Sequence, residues 1–396
     1  MPHELRKPGF LQGAALVIFL ALVHTVNDAI TAILGALLPT LQVKFDLGPT
    51  TLALIVAVFW IASSVTQPLF GALAEDIGAR AIGALGVLLA SLFLSLIGVA
   101  PELWVVFVLL VVGGMGSAAL HPVGTTVSGA STVGNRTLGV ALFTAGGMIG
   151  FAAGPILILY LVSYFGTDAT PWLMIPGVLL SAALFFALPQ WEPHGRRPLR
   201  SLFDFSLVRG PVGLLALGGS FASVAFVTFT SSLPIWLVQE HGYESDDPLI
   251  GWTLGTFALA AGVGALLGGV LAPRIGRRAT IVGSLVAAAV PLLLILALDP
   301  GTPQFFIAAA IAGVLIYTSS PVKVVLAQDL APRAPAAAAG MILGTTAAIA
   351  GVIYILLGRI QEVVGLDAGI ALGFAMVIPA GLIALVVFAR HPEVAR

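Results

Sequence analysis

Residues Gly71–Ala81 read GALAEDIGARA, and the pattern returns as GVLAPRIGRRA at Gly269–Ala279, an offset of 198 in a chain of 396 with seven of the eleven positions identical. A repeat at half the chain length means two homologous halves, and that fixes the architecture before any local reading begins. Other landmarks keep nearly the same offset. Gly114–Pro122 aligns with Gly313–Pro321 at 199, and Gly139–Gly150 with Gly340–Gly351 at 201. Each copy of the first motif joins two long apolar segments through a short charged turn.

Composition decides what surrounds these halves. With 59% hydrophobic and 9% charged residues, a water-soluble fold would expose apolar surface almost everywhere, so the solvent is lipid. A spanning helix needs about 20 mostly apolar residues. Such stretches fall at about 12–40, 49–74, 81–100, 102–130, 138–163, 170–189, 211–239, 249–273, 279–298, 303–328, 338–364 and 367–390, six per half. The expectation is an all-α membrane protein of twelve transmembrane helices in two pseudo-symmetric six-helix bundles, residues 1–189 and 211–396, joined by a cytoplasmic linker at 190–210. The 46 glycines and 25 prolines fit this solvent, because small residues let membrane helices approach closely and neighbours satisfy freed backbone groups. Alternating barrel strands are not seen. There is no cysteine, which excludes disulfides, thiolate catalysis and cysteine-bound metal. The first span has the basic flank of a signal peptide, Arg6 and Lys7, but it is too long and shows no small-residue cleavage pattern, so it reads as a retained helix.

Basic loops stay in the cytoplasm. With the N-terminus inside, the cytoplasmic segments hold Arg6, Lys7, Arg80, Arg136, Arg196, Arg197, Arg200, Arg209, Arg274, Arg277, Arg278, Arg333, Arg390 and Arg396, fourteen of seventeen basic residues, and the outer loops hold only Lys44. Both termini are therefore expected inside a bacterial-type inner membrane. The linker Gln190–Gly210 alternates Phe203, Phe205 and Leu207 with polar residues, as a segment lying at the membrane surface does. Its arginines read as a positive-inside linker rather than a nucleic-acid site. In the motif between spans two and three, Gly71 and Gly78 allow a tight turn and close packing, while Asp76 and Arg80 either latch helix ends of opposite halves or form a solvated turn. The second copy keeps Gly269, Gly276 and Arg278 but replaces Asp76 by Arg274, so an acid-based latch is one-sided. Arg136 belongs with these gating candidates.

Charge inside a span is expensive, about 2.5–3.5 kcal/mol on insertion scales, and each instance is a functional candidate. His24, Asn27, Asp28 and Thr31 lie at i, i+3, i+4 and i+7 on one face of span one. A carboxyl near mid-membrane can carry a proton and release it when water or a cation arrives, with His24 as relay; the alternative is a structural hydrogen-bonded cluster. His121 precedes Pro122 in span four, where proline frees a backbone carbonyl. It either takes part in transport or merely bonds a neighbouring helix. Lys323 follows Tyr317 and Ser320-Pro321 in span ten and either attracts an anion, pairs with Asp28, or snorkels to the interface. Arg359 and Glu362 read as a local ion pair. Span seven has no Asp or His and offers Ser220, Ser223, Thr228, Thr230, Ser231 and Ser232 instead. Trp60, Gln67 and Thr144 are weaker cavity candidates. The three available metal ligands, His24, Asp28 and His121, are not spaced along the chain as a known metal site, so no metal is expected.

The motif at Gly71, Asp76, Gly78 and Arg80, within twelve spans and a half-length repeat, resembles the signature of the major facilitator superfamily. Gly150-x-x-x-Gly154-Pro155 resembles part of the span-five motif of that superfamily's drug antiporters, although Ile156 and Leu157 replace the later paired glycines; ordinary small-residue packing explains it equally. His24-x-x-Asn27-Asp28 with Leu38-Pro39, Ala62-Ser63-Ser64-x-x-Gln67-Pro68 with Gly71, His121-Pro122, and Ala327-Gln328-Asp329-Leu330 with Pro332, Gly340, Gly344 and Gly351 together resemble the fosmidomycin-resistance branch. That resemblance implies a drug exporter exchanging substrate for protons, fosmidomycin itself being an anionic phosphonate. One departure is Val123, where the branch usually carries an acid after His-Pro.

The resulting expectation is a proton-coupled antiporter working by rocking two bundles around a midplane cavity. Asp28, His24 and His121 handle the proton, and Asn27, Thr31, Trp60, Gln67, Thr144, Thr228, Tyr317, Ser320 and Lys323 meet the substrate. Gly71, Asp76, Gly78, Arg80, Arg136, Gly150, Gly154, Pro155, Gly269, Gly276 and Arg278 serve conformational change. The proton gradient replaces any cofactor, since there is no GxxxxGK[ST] loop. The partners are a small molecule, protons and the bilayer, with no nucleic acid, and the chain is taken as a monomer. An uptake symporter using the same residues is the alternative, and a membrane enzyme or non-transporting sensor the remote one.

Overall fold

The computed structural model describes residues 5–7, 11–132, 136–188, 190–191, 205–332 and 335–395. Among these, eleven helical segments are long and apolar enough to cross a bilayer: Gly13–Phe45, Pro49–Ala74, Leu103–Ser131, Leu138–Phe165, Thr167–Ala187, Pro211–Gln239, Pro248–Ile275, Arg277–Ala297, Pro303–Leu330, Ala338–Val364 and Leu366–Arg390. The shorter apolar helix Ala79–Ser95 stands third in order and completes the twelve expected spans. It ends early because the chain tightens after Ser95 into i→i+3 bonds, Leu96 N to Phe93 O at 3.3 Å and Ala100 N to Ile97 O at 3.2 Å, ahead of Pro101. Bulky apolar side chains face outward, with Val363 77%, Tyr164 76% and Leu266 69% exposed. Lipid covers such a surface at no cost, whereas water would not. The chain is a multi-pass helical membrane protein.

Two spans break next to a proline. Span two divides into Pro49–Val65 and Gln67–Ile77, with Pro68 in the first turn of the second piece. Span ten divides into Pro303–Thr318 and Ser320–Leu330 at Pro321. At the aligned Pro122, by contrast, span four runs unbroken from Leu103 to Ser131. Span seven carries a π-turn at Thr228–Ser232 between two α-helical stretches. Such one-turn insertions commonly occur at functional positions.

The chain divides into two compact units, Met1–Leu34 with Ala62–Leu202, and Gly35–Ile61 with Phe203–Arg396. The first has a core of Leu16, Leu20 and Val23 from span one, Ile82 and Val87 from span three, Leu120, Val123 and Val127 from span four, Phe143 from span five and Leu184 from span six. A short antiparallel pair, Leu5–Lys7 with Gln190–Trp191, also belongs to it; nothing in the sequence pattern announced these strands. The second unit is built on Val212, Leu215, Ile281, Leu285, Leu326, Ala384 and Phe388, and the far halves of spans one and two pack within it. A Cβ on Gly35 would lie 2.4 Å from Thr230 O, and one on Gly358 2.6 Å from Ala53 Cβ. These positions accept only hydrogen because the helices touch at backbone distance. Of the linker's apolar residues, Phe205 and Leu207 fall in a short 3-10 helix, Phe205–Arg209, while Phe203 lies outside the described residues.

The repeated turn is preserved in its backbone. Gly78 has φ of +115° and Gly276 of +87°, a region that side chains avoid, so glycine is required at both. Gly71 and Gly269 are different: a Cβ on Gly71 would meet Pro122 at an ordinary 3.5 Å, and one on Gly269 would meet nothing within 4 Å. The close packing expected at Gly71 is thus absent.

Candidate functional site

Span five packs directly on span one, which carries the polar face, through glycines at every fourth residue. Cβ atoms on Gly146, Gly150 and Gly154 would lie 2.3, 2.0 and 2.1 Å from the carbonyl oxygens of Ala21, Thr25 and Ala29. The two backbones are therefore in direct contact along two turns. Thr25 Oγ1 also donates across the contact to Gly146 O at 2.9 Å. The Gly150–Gly154 element accordingly acts as close helix packing, with Pro155 within the same helix.

Against this contact the structure assembles His24, Asp28 and His121. His24 Nε2 lies 3.1 Å from Asp28 Oδ2, and His121 Nε2 lies 3.8 Å from Asp28 Oδ1. The two imidazoles meet edge to face at 5.0 Å between centroids. Each ring is aimed by its other nitrogen. His24 Nδ1–H donates to Phe143 O at 2.7 Å, and His121 Nδ1–H donates to Ser117 O at 2.9 Å. Since a carbonyl only accepts, Nδ1 carries the hydrogen in both rings and Nε2 is the edge that exchanges it. Asn27 Nδ2 donates to Asp28 Oδ1 at 2.9 Å and to Ser117 Oγ at 3.0 Å. Thr31 Oγ1 donates to the backbone carbonyl of Asp28 at 3.0 Å, so it braces the helix rather than facing the cluster. Phe143 stacks on His24 at 4.0 Å, and Gly124 makes room for it: a Cβ there would sit 2.2 Å from the Phe143 ring.

Phe143, Ser117, Gly124 and Gly147 are site residues that sequence reasoning did not find. Phe143 and Ser117 act through backbone carbonyls, which leave no trace in residue type. Val123, the departure from the exporter pattern, is 2% exposed within the apolar core and packs toward Gly83, whose Cβ would lie 3.0 Å from it. Valine suits that place, and an acid there would need a partner of its own.

The remaining candidates scatter. Thr144 is exposed and donates to Val140 O of its own helix at 2.9 Å. Gln67 Nε2 donates to Ser63 O at 3.1 Å. In the second unit, Trp60 meets the Phe226 ring at 6.3 Å, Tyr317 meets it at 5.3 Å, and Thr228 is fully buried with its hydroxyl on Val224 O. Ser320 opens the second piece of span ten. Lys323 is 9% exposed beside Val322 and Leu326, and among the described residues it is in no ion pair. Arg80 donates through Nε and Nη2 to Leu188 O at 3.0 and 2.6 Å rather than to Asp76, which forms no ion pair among the described residues. Arg278 donates its backbone N–H to Ala395 O at 3.2 Å. The side chain of Arg136 lies outside the described residues. Arg359 does pair with Glu362, at 2.5 Å, and Glu362 also accepts from Thr50 N at 3.2 Å, capping the start of span two. A further polar network joins Ser232 Oγ to Tyr354 OH at 2.6 Å and to Gln361 Nε2 at 3.1 Å.

Twelve spans, a half-length repeat and a cluster of ionisable residues inside the first unit are the setting for comparison with known proteins. The family model described as Major Facilitator Superfamily matches residues 20–248 and 215–396. The chain belongs to the Major Facilitator Superfamily. It is 25% identical over 395 residues to the MFS-type transporter YfnC of Bacillus subtilis, covering 91% of this chain and 90% of that one. It is 24% identical over 353 residues to the fosmidomycin resistance protein of Escherichia coli, covering 87% and 85%. Its fold is similar to the crystal structure of a bacterial homologue of the human lysosomal transporter Spinster, with TM-score 0.79, 15% identity and coverage of 96% and 97%. A member of this superfamily is a transporter of small molecules and not an enzyme, which places the buried cluster in the context of transport rather than catalysis.

Proposed function

We propose that the chain is a proton-coupled antiporter that exports a small organic compound, with Asp28, His24 and His121 as the proton-exchanging group. The observation that carries this reading is the approach of two Nε2 edges, each held by a carbonyl behind its ring, to the two oxygens of one carboxylate. Without a proton, three lone-pair donors face one another inside a membrane, an arrangement that is electrostatically unfavourable. One proton shared among them neutralises the carboxylate's charge by an imidazolium partner or by direct bonding. The cluster therefore favours a loaded state and surrenders its proton when another partner, or water, takes over. Asn27 holds Asp28 in place for either state.

The fosmidomycin-resistance relative supports an anionic drug-like substrate, and Lys323 is the cation in the second unit that suits it. A buried ammonium with no ion pair among the described residues attracts an anion without first having to break a bond. The chain is further read as a monomer of the bacterial inner membrane with both termini in the cytoplasm, in bundles 1–189 and 211–396 about the linker 190–210.

The deciding experiment uses proteoliposomes with an imposed pH gradient and a pH-sensitive dye, comparing wild type with Asp28→Asn. The expected result is loss of substrate-induced proton flux in the variant while substrate binding persists. Flux surviving in Asp28→Asn removes Asp28 from the role of carrier. Direction is read from drug sensitivity on expression, since only export lowers it.

A further inference from the structure

We propose that His24 Nε2, the Asp28 carboxylate and His121 Nε2 also form a binding site for one divalent late transition-metal ion, of the class of Zn²⁺ or Co²⁺. One donor atom from each of the three residues lies within 4.8 Å of the others. Four-coordinate zinc with bonds of about 2.1 Å keeps its donors about 3.4 Å apart; His24 Nε2 lies 3.1 Å from Asp28 Oδ2 and His121 Nε2 3.8 Å from Asp28 Oδ1, and the set of three donors, spread over as much as 4.8 Å, closes by about 1 Å on taking up the ion. Two imidazoles and one carboxylate are the ligand count of a zinc site with its fourth position open, which water or an anion fills. The absence of cysteine and the small number of oxygen donors turn the site away from soft Cu(I) and from Ca²⁺ or Mg²⁺, and imidazole selects the later first-row ions.

Three independent features support binding rather than chance proximity. His24 is 5% exposed, and its Nε2 is buried with no hydrogen bond despite lying beside Asp28; it points a lone pair into the cluster. Both ligand rings donate Nδ1–H to backbone carbonyls, 2.7 Å to Phe143 and 2.9 Å to Ser117, the outer support that fixes the tautomer and orientation of metal-binding histidines. Gly147 leaves open the space that a side chain would fill: its Cβ would lie 2.4 Å from His24 Cε1, 2.6 Å from Nε2 and 2.7 Å from Asp28 Oδ2. The sequence spacing of 24, 28 and 121 concealed this arrangement, because the third ligand comes from a different helix.

Metal binding stands on this geometry alone and needs neither a pH gradient nor a transported substrate. The test is titration of Co²⁺ into the full-length protein in detergent, prepared without a polyhistidine tag, followed by visible absorption and by displacement with Zn²⁺. One Co²⁺ per chain with a tetrahedral or five-coordinate d–d spectrum is expected, with affinity at least tenfold weaker in His121→Gln and in Asp28→Asn. Monodisperse elution and unchanged melting in the absence of metal show that each variant is folded, and Asp28→Glu is expected to retain the spectrum. Absence of a spectrum, or equal affinity in a His24→Gln/His121→Gln double variant, overturns the proposal; the latter result assigns binding to His3, His194, His241 or His391. Absence of Co²⁺ binding in the wild type leaves proton exchange standing, and proton flux that survives in Asp28→Asn overturns the carrier role while leaving metal binding standing, so the two readings fail separately.

Discussion

Replacing Gly150 by alanine drives a methyl group into the backbone of span one beside the ionisable cluster. The added Cβ would lie 2.0 Å from Thr25 O, whereas carbon and carbonyl oxygen settle at about 3.3 Å. The two helices must separate locally by the difference, about 1.3 Å. Thr25 is the neighbour of His24, and Phe143 sits on the receding helix. A shift of that size stretches the 2.7 Å bond from His24 Nδ1 to Phe143 O to about 4 Å, beyond hydrogen-bonding distance. Overpacking of this kind costs about 1–3 kcal/mol, and a misplacement of about 1 Å in a reacting group costs about 100-fold in rate.

The expected outcome is therefore two-part: a modest fall in melting temperature and a fall in substrate-driven proton flux of about 100-fold. Fluorescence-detected melting and dye-monitored flux in proteoliposomes measure the two. Gly340→Ala is the matched control. It lies on the corresponding helix of the second half, where an added Cβ meets nothing within 4 Å, and it is expected to leave both quantities unchanged. Flux in Gly150→Ala within twofold of wild type would refute the argument, because it would show that the cluster tolerates displacement of its supporting helix.

Further outcomes follow from other contacts. Gly124→Ala places a Cβ 2.2 Å from the Phe143 ring and is expected to weaken proton exchange without touching any titratable group, as measured by the same flux assay. In this cysteine-free chain, Ala57→Cys with Gly351→Cys is expected to form a disulfide, since the Cβ positions are 3.6 Å apart and bridged pairs lie at about 3.5–4.5 Å. Mobility on non-reducing gels reports the bond, and flux restored by reductant reports that this contact opens during transport. Lys323→Met is expected to raise the KM for an anionic substrate about tenfold or more, the loss of a charge-assisted contact being worth about 1.5–3 kcal/mol, with little effect on a neutral one.

Much of the scaffold was legible in the sequence because lipid imposes a simple rule: about 20 apolar residues per crossing, charge only where it is used. The twelve segments read from hydropathy match the observed spans to within a few residues at most ends. The i, i+4 relation of His24 and Asp28 was equally plain, since helical spacing is local. His121 was visible as an intramembrane histidine, but its meeting with Asp28 depends on how spans one and four pack. The backbone carbonyls of Phe143 and Ser117 lay beyond reach because any residue supplies a carbonyl. Thr31 and Thr144 show a related limit. A hydroxyl in an apolar helix satisfies itself on its own backbone, so its presence does not require a ligand.

The two halves share their glycines but not the use made of them. Gly78 and Gly276 both hold positive φ, so the repeated turn is a backbone necessity in each copy. Gly139 and Gly150 in the first half would place Cβ atoms 2.2 Å from Ser128 O and 2.0 Å from Thr25 O, whereas their counterparts Gly340 and Gly351 meet nothing within 4 Å and Ala57 at 3.3 Å. At these two aligned positions the close contact belongs to the first half, where Gly150 adjoins the ionisable cluster; span eleven makes its own close contact further along, at Gly358, whose Cβ would lie 2.9 Å from Pro49 O. A carboxylate inside lipid is stabilised by partners held at fixed distance. Span seven carries hydroxyls at Thr228–Ser232 where span one has Asp and His, so the helix packed on it has no carboxylate–imidazole cluster to hold in register. The glycine contacts of span five lie beside the Asp28 carboxylate, so substitution at Gly150 tests the site more sharply than substitution at the aligned Gly351, where an added Cβ meets Ala57 at 3.3 Å.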